Sequence, residues 1–197
     1  MSNQKKLEIM PLEEHDRGVA AYLMIYSKFN ELVGSVRKIE TGAAAIKSGI
    51  IVKKFYKAVY NGKIVGIASL SDTRSRYLEL NYDDVKKQVG IIKAKKIYSV
   101  LENIFDVKNI PDGCAYITFP VSSEGDADYV VKALLEYIFS LKKYTEYYTY
   151  ISKFDSEKRK ILEEIGFRVI EDYSLEKASE SNKKETNCLL MKYSERF

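Results

Sequence analysis

The chain carries one histidine, His15, and two cysteines, Cys114 and Cys188, and this scarcity removes several kinds of chemistry. Ser-His and Cys-His triads, and metal sites built on imidazoles, need partners that a single histidine in a charged N-terminal segment does not have. The cysteines lack the CxxC spacing of a zinc or redox site, and both lie in apolar strand-like segments, so they read as buried thiols. What remains is carboxylate and hydroxyl chemistry. Glu124, Asp126 and Asp128 gather near the start of a predicted helix, where a carboxylate caps the first turn or complements the helix dipole. Sixteen tyrosines are present, and Tyr144, Tyr147, Tyr148 and Tyr150 crowd one predicted strand region. Their alternation sends some into packing, the usual role of an aromatic residue in a strand, and some toward a cleft. A tyrosine wall there could stack an adenine or hold an amine. Arg74 and Arg76 follow a hairpin, within reach of an anionic ligand or simply solvated.

The elements that position these groups belong to an ordinary globular chain. The 197 residues are 46% hydrophobic and 30% charged, which suits one domain spanning 1–197 with a sizeable core. No run approaches the roughly 18 apolar residues of a spanning helix, and the N-terminus has no apolar leader region. The expectation is a cytoplasmic protein without a membrane segment. The formal charge of +4 comes from 32 basic and 28 acidic residues interspersed along the chain, a solvated surface rather than a nucleic-acid footprint. The densest basic run, Lys86 to Lys96, has Val85, Val89, Ile92 and Ile97 interleaved at roughly helical spacing. It reads as the outer face of a packed helix.

Strands and helices alternate along the chain. Lys6 to Met10 reads as a strand stopped by Pro11, and Glu13 to Phe29 as a helix with Val19, Leu23 and Tyr26 on one face. Gly34, Gly42 and Gly49 break up the segment from Asn30 to Ser48, a helix and loop. Phe55 to Leu70 is a hairpin about Asn61-Gly62, a pair that tolerates the positive φ angles of a type I′ turn, and Gly66 suggests a bulge. A long helix from about Asp83 to Phe105, a buried strand from Ala115 to Val121, a loop from Ser122 to Asp126 and an amphipathic helix through Leu141 follow. The strand Tyr147 to Ile151 leads to a helix, Ser156 to Ile165, closed by Gly166. Phe167 to Tyr173 and Asn187 to Tyr193 form a final strand pair around a polar, mobile loop at 176–186.

This order, with Asn61-Gly62-Lys63-Ile64-Val65-Gly66, the strand-loop-helix from Ala115 to Leu141 and Glu163-Glu164-Ile165-Gly166-Phe167, resembles the GNAT family of N-acetyltransferases over nearly the whole chain. The resemblance implies an α/β (α+β) fold with a mixed, mostly antiparallel central sheet flanked by helices. It also implies transfer of an acetyl group from acetyl-CoA to a primary amine, on a small molecule or a peptide, in a family whose members often form homodimers. The family's phosphate loop reads Arg/Gln-x-x-Gly-x-Gly/Ala and cradles the cofactor's pyrophosphate at a helix N-terminus. In the register that aligns Leu134-Leu135 without a gap, Asp126, Tyr129 and Val131 take the Arg/Gln, Gly and Gly/Ala positions, and all three depart from the pattern. A register shifted by one turn sets Ser122, Gly125 and Ala127 there.

The same resemblance implies that Phe119 and Val121 orient the pantetheine and the thioester carbonyl, that Val130 lies beside the loop, and that Asp155 stands where the family often has Asn. Leu162 replaces the usual acid Tyr, and Thr118 the usual base carboxylate. Two readings follow: an acetyl-CoA-dependent N-acyltransferase, or a GNAT-like protein whose degenerate loop has lost the cofactor and whose cleft binds another ligand or a protein.

Overall fold

The computed structural model describes residues 7–32, 34–107, 110–118, 121–122, 127–175 and 186–194. Strand β1 (Glu8–Pro11) ends on its proline and pairs antiparallel with β2 (Phe55–Tyr60), which turns back into β3 (Lys63–Ser71). Asn61 and Gly62 have φ of 54° and 75°, the two positive values that a type I′ turn requires. The register slips between Ala58 and Val59, which places the expected bulge beside Gly66. The remaining strands are β4 (Ala115–Ile117), β5 (Val121–Ser122), β6 (Glu146–Ser152), β7 (Arg168–Leu175) and β8 (Thr186–Ser194). The sheet runs β1-β2-β3-β4-β6-β8-β7, with β5 also on β3. Among the described strands only β4 and β6 run parallel, so the sheet is mixed and mostly antiparallel.

Helices cover both faces. Helices α1 (Arg17–Ser27), α2 (Phe29–Leu32), α3 (Ile39–Ile46), α4 (Tyr82–Val89) and α5 (Ile91–Phe105) share one core with Phe55, Ile67, Tyr116 and Tyr148 of the sheet. Helices α6 (Ala127–Ser140) and α7 (Ser156–Ile165) share the other with Ala68, Ile117, Tyr147 and Met191. Both cysteines are buried free thiols. Among the described residues no helix is long and apolar enough to cross a membrane. The loop expected to be mobile falls, over 176–185, outside the described residues.

Two helices differ from their sequence expectation. The long helix is broken at Gly90, whose φ of 80° lies in the left-handed region that glycine enters without cost. The break resets the helical phase, so Val85 and Ile97 are buried while Ile92 is 98% exposed. In α1, Leu23 is buried but Val19 and Tyr26 face solvent, and the Tyr22 and Tyr26 rings stack outside at 6.4 Å. The inner face carries Ala20, Ala21, Met24 and Ile25 instead. That low-relief surface lets α3 approach so closely that a Cβ on Gly42 would meet Ile25 at 3.0 Å.

One buried ion pair ties the start of α1 to the sheet. Lys57 of β2 and Asp16 are each 6% exposed, and Lys57 Nζ donates to Asp16 Oδ2 at 2.6 Å. The Glu13 N–H donates to the same oxygen at 3.0 Å. Burial pushes the Asp16 carboxyl upward, but the hydrogen bonds and charge of Lys57 with the Glu13 amide outweigh it and hold the group below its ordinary 3.8. A lowered folded-state value means that the stabilisation is present above pH 3.8 and is lost as pH falls through the folded value. Lys57→Met leaves a buried carboxylate without its cation, and a loss of about 3–5 kcal/mol is expected in urea denaturation at pH 7. The gap between wild type and variant should narrow as the pH falls, because the variant's buried carboxyl, without its cation, takes up a proton first, whereas wild-type Asp16 keeps its charge to below 3.8.

Candidate functional site

Strand β4 is held unequally by its neighbours. Its ladder with β6 has two positions, Ala115↔Tyr147 and Tyr116↔Tyr148. On the other side Leu70↔Ile117 and Ser71↔Tyr116 pair with β3, and the contact continues past the strand's end. The Thr118 N–H donates to the Ser69 carbonyl at 3.3 Å, and the Ser69 N–H donates to Thr118 Oγ1 at 3.0 Å. Then β5 pairs Val121 with Ile67 and Ser122 with Gly66. The chain thus follows β3, whereas β6 runs on to Ser152 in register with β8. A cleft of about 460 Å³ opens where the two part.

The walls of this cleft come from distant parts of the sequence. Tyr116 and Thr118 line one side, Tyr150 to Ser152 the other, and Met24 of α1 and Lys28 just after that helix approach from the α1 face. The rim is Phe154 to Lys158. Asp155 caps α7: its Oδ1 accepts the Lys158 N–H at 3.1 Å, and Lys158 Nζ lies 2.8 Å from Oδ2. Gly166, with φ of 109°, ends α7 in the left-handed turn expected from its sequence. Lys132 Nζ of α6 donates to Glu164 Oε2 of α7 at 2.7 Å across the exposed side of the helix pair.

At the closed end Glu146 gathers three partners. Lys192 Nζ lies 2.6 Å from Oε1, while the Tyr148 hydroxyl and the Cys114 thiol donate to Oε2 at 3.1 and 3.4 Å. The hydrogen bond from Lys192 holds the Glu146 carboxyl below its usual range. Burial, and then Glu146 itself, push the Cys114 thiol up, so it is not a reactive thiolate.

The four crowded tyrosines take different roles. Tyr144 donates to Asp72 Oδ2 at 2.6 Å, and burial with that bond pushes its phenol up to about 12. Tyr147 and Tyr148 are buried in opposite cores, and Tyr150 lines the cleft. Tyr77, Tyr116, Met24 and Lys28 also line it without any local sequence signal, because only the folded topology brings α1, β4 and the segment before α4 together.

Of the residues expected to hold a cofactor, Phe119, Gly125 and Asp126 lie outside the described residues. Val121 and Ser122 form β5 on β3, and Ala127 opens α6. Tyr129, in the first turn, is 63% exposed, whereas Val130 and Val131 are buried in the core with Leu134. Asp155 is at the cleft rim. Leu162 is fully buried in the α6–α7 core and is not among the cleft residues. Thr118→Val removes the acceptor of a part-buried N–H and should cost about 1–3 kcal/mol in urea denaturation. Leu162→Tyr should also destabilise by about 1–3 kcal/mol, through overpacking, and should supply no general acid to the cleft.

Neither a protein-family model nor a curated protein matches the sequence. The fold is similar to that of an N-acetyltransferase from Staphylococcus aureus Mu50, with a TM-score of 0.64 and 11% identity over 94% of this chain and 100% of that one. It is similar to AAC(6')-Ib in complex with ribostamycin and coenzyme A, with a TM-score of 0.55 and 13% identity over 96% and 93%. It is also similar to the C-terminal condensation domain of Ebony in complex with beta-alanyl-dopamine, with a TM-score of 0.59 and 9% identity over 97% and 100%. The architecture is that of the GNAT acetyltransferases.

Proposed function

We propose that this chain is a divergent GNAT acyltransferase that moves an acetyl group from acetyl-CoA to a primary amine. The observation that carries the reading is the divided sheet, which leaves a cleft between two parallel strands with a helix N-terminus, that of α7, at its rim. A thioester laid between the strands can be approached by a nucleophile from the α1 face. The first turn of α6, a helix of 14 residues, presents backbone N–H groups without intrahelical partners to an anion such as the pyrophosphate. Ala127, Tyr129 and Val130 would contribute those amides, with Ser122 at the end of β5 before them.

The reaction needs little covalent help from the protein. The amine nitrogen attacks the thioester carbon, the C–S bond breaks, and the thiolate leaves with its electron pair. A thiol near pKa 8.5 is a good leaving group, and a general acid adds roughly 10²- to 10⁴-fold, so burial of Leu162 at the usual acid position slows the step without forbidding it. The amine must first lose a proton. Thr118 is no base, and its oxygen already accepts the Ser69 N–H; Asp155 and Glu157 are the carboxylates of the described cleft lining.

The phosphate loop sets the affinity. In the register that puts Asp126 against the pyrophosphate, a carboxylate about 5 Å from a phosphate repels it by roughly 3 kcal/mol at an effective dielectric near 20. That is more than a hundredfold in binding. Titration calorimetry should therefore find weak acetyl-CoA binding to the wild type and binding tighter by about a hundredfold in Asp126→Arg, Tyr129→Gly. Absence of binding in both proteins would overturn the acyl-CoA reading.

A further inference from the structure

The break at Gly90 folds a basic stretch of chain back on itself. Tyr82 at the start of α4 and Tyr98 on α5 meet edge to face, with ring centroids 5.6 Å apart. In an unbroken helix they would lie about 24 Å apart, so the two helices run back alongside each other and Gly90 is their turn. The Gly90 N–H closes α4 by donating to the Lys86 carbonyl at 2.9 Å. A Cβ at Gly90 would meet nothing within 4 Å, so the turn projects into solvent.

Two isoleucines stand on this turn. Ile91 is 74% exposed and Ile92 98%, whereas α5 packs through Ala94, Ile97, Leu101 and Phe105, so neither isoleucine serves the core. Lysines surround them. Lys86 and Lys87 lie in the last turn of α4, and Lys93, Lys95 and Lys96 follow on α5, all three exposed. Of these five lysines, Lys87 alone makes an ion pair among the described residues, with Asp84 at 3.0 Å. The acidic residues of the pair of helices nearest in sequence, Asp83 and Asp84, sit in the first turn of α4, at the end away from Gly90. Helix α5 opens with neither a side-chain cap nor an acidic residue in its first turn, so its first amides and its dipole are left for an outside anion.

Aliphatic side chains inside a ring of cations match hydrocarbon beneath anionic headgroups. We propose that the α4–α5 turn is a peripheral docking site for an anionic lipid surface. Ile91 and Ile92 enter the boundary between headgroups and acyl chains, and the lysines meet the headgroup anions. The contact needs no spanning segment and is independent of acyl transfer. A second copy of the chain is a poor occupant, because it would set five lysines against five. A nucleic acid would match the charge but not the apolar tip, since single strands are gripped by stacking on aromatic rings and Gly90, Ile91 and Ile92 offer none.

The test is co-sedimentation of the whole chain with vesicles of phosphatidylcholine alone or of phosphatidylcholine with phosphatidylserine. The anionic vesicles should bind at least about tenfold more tightly, and salt at about 0.5 M should remove most of that preference by screening the exposed lysines. Ile91→Ser with Ile92→Ser should lose about tenfold on anionic vesicles, and Lys93→Glu with Lys95→Glu and Lys96→Glu about a hundredfold. All five side chains are exposed, so unchanged urea midpoints should separate a binding defect from unfolding. The charge-matched control, Lys38→Glu with Lys47→Glu and Lys63→Glu, also at exposed positions, should lose less than about fivefold. A wild type that does not sediment with anionic vesicles would overturn the proposal. Full binding by the isoleucine variant, or an equal loss in the control, would overturn it too, because net charge alone would then account for the attraction. Tighter binding of the wild type to poly(U) than to anionic vesicles would assign the lysines to nucleic acid instead.

Discussion

Two hydrogen bonds between Ser69 and Thr118 decide where the sheet divides. They carry β4's attachment to β3 beyond the last ladder pair, and β5 then continues along the same neighbour. Beyond Tyr116 no further pairing with β6 is described, and the chain stays on β3 while β6 runs on in register with β8. The gap thus follows from the backbone pairing, and the tyrosines, the α1 residues and the α7 cap line one cleft only because that gap exists.

The helices on the two faces then have unequal tasks. On one face α6 and α7 are fixed to each other and to the sheet by Val130, Val131, Leu134, Ile161 and Leu162, so the apolar positions near the helix starts are committed to packing. On the other face, the small residues of α1 let it settle close to α3, which brings Met24 and Lys28 over the cleft. The Lys57–Asp16 pair anchors the N-terminal end of the same helix, so one buried charge pair helps to set the position of a cleft wall.

Much of the fold was legible because local chemistry and the final structure agree. Asn61-Gly62 allows only a tight hairpin, Gly166 only a left-handed helix end, and the apolar periodicity from Val130 to Ile138 only a helix packed on one side. Gly90 was missed because a single glycine inside a strong helical pattern does not reveal its φ. Tyr26 was placed on the wrong face because a large aromatic ring weighs heavily in a periodicity argument, whereas α1 packs through Ala20 and Ala21. The site was less legible than the fold. Asp155 and Tyr150 carried sequence signals, but Tyr77, Tyr116 and Lys28 are joined only by topology, and the burial of Leu162 depends on how α7 lies against α6.

The Glu146 cluster at the closed end has a mechanical meaning. Two ladder pairs are the only β4–β6 pairing described in the sheet, and beside them one carboxylate ties Cys114 before β4, Tyr148 on β6 and Lys192 on β8. The β4–β6 junction is therefore short in its backbone pairing and braced by side chains from three segments. A ligand wedged between β4 and β6 would press on that junction and on the Glu146 contacts that brace it.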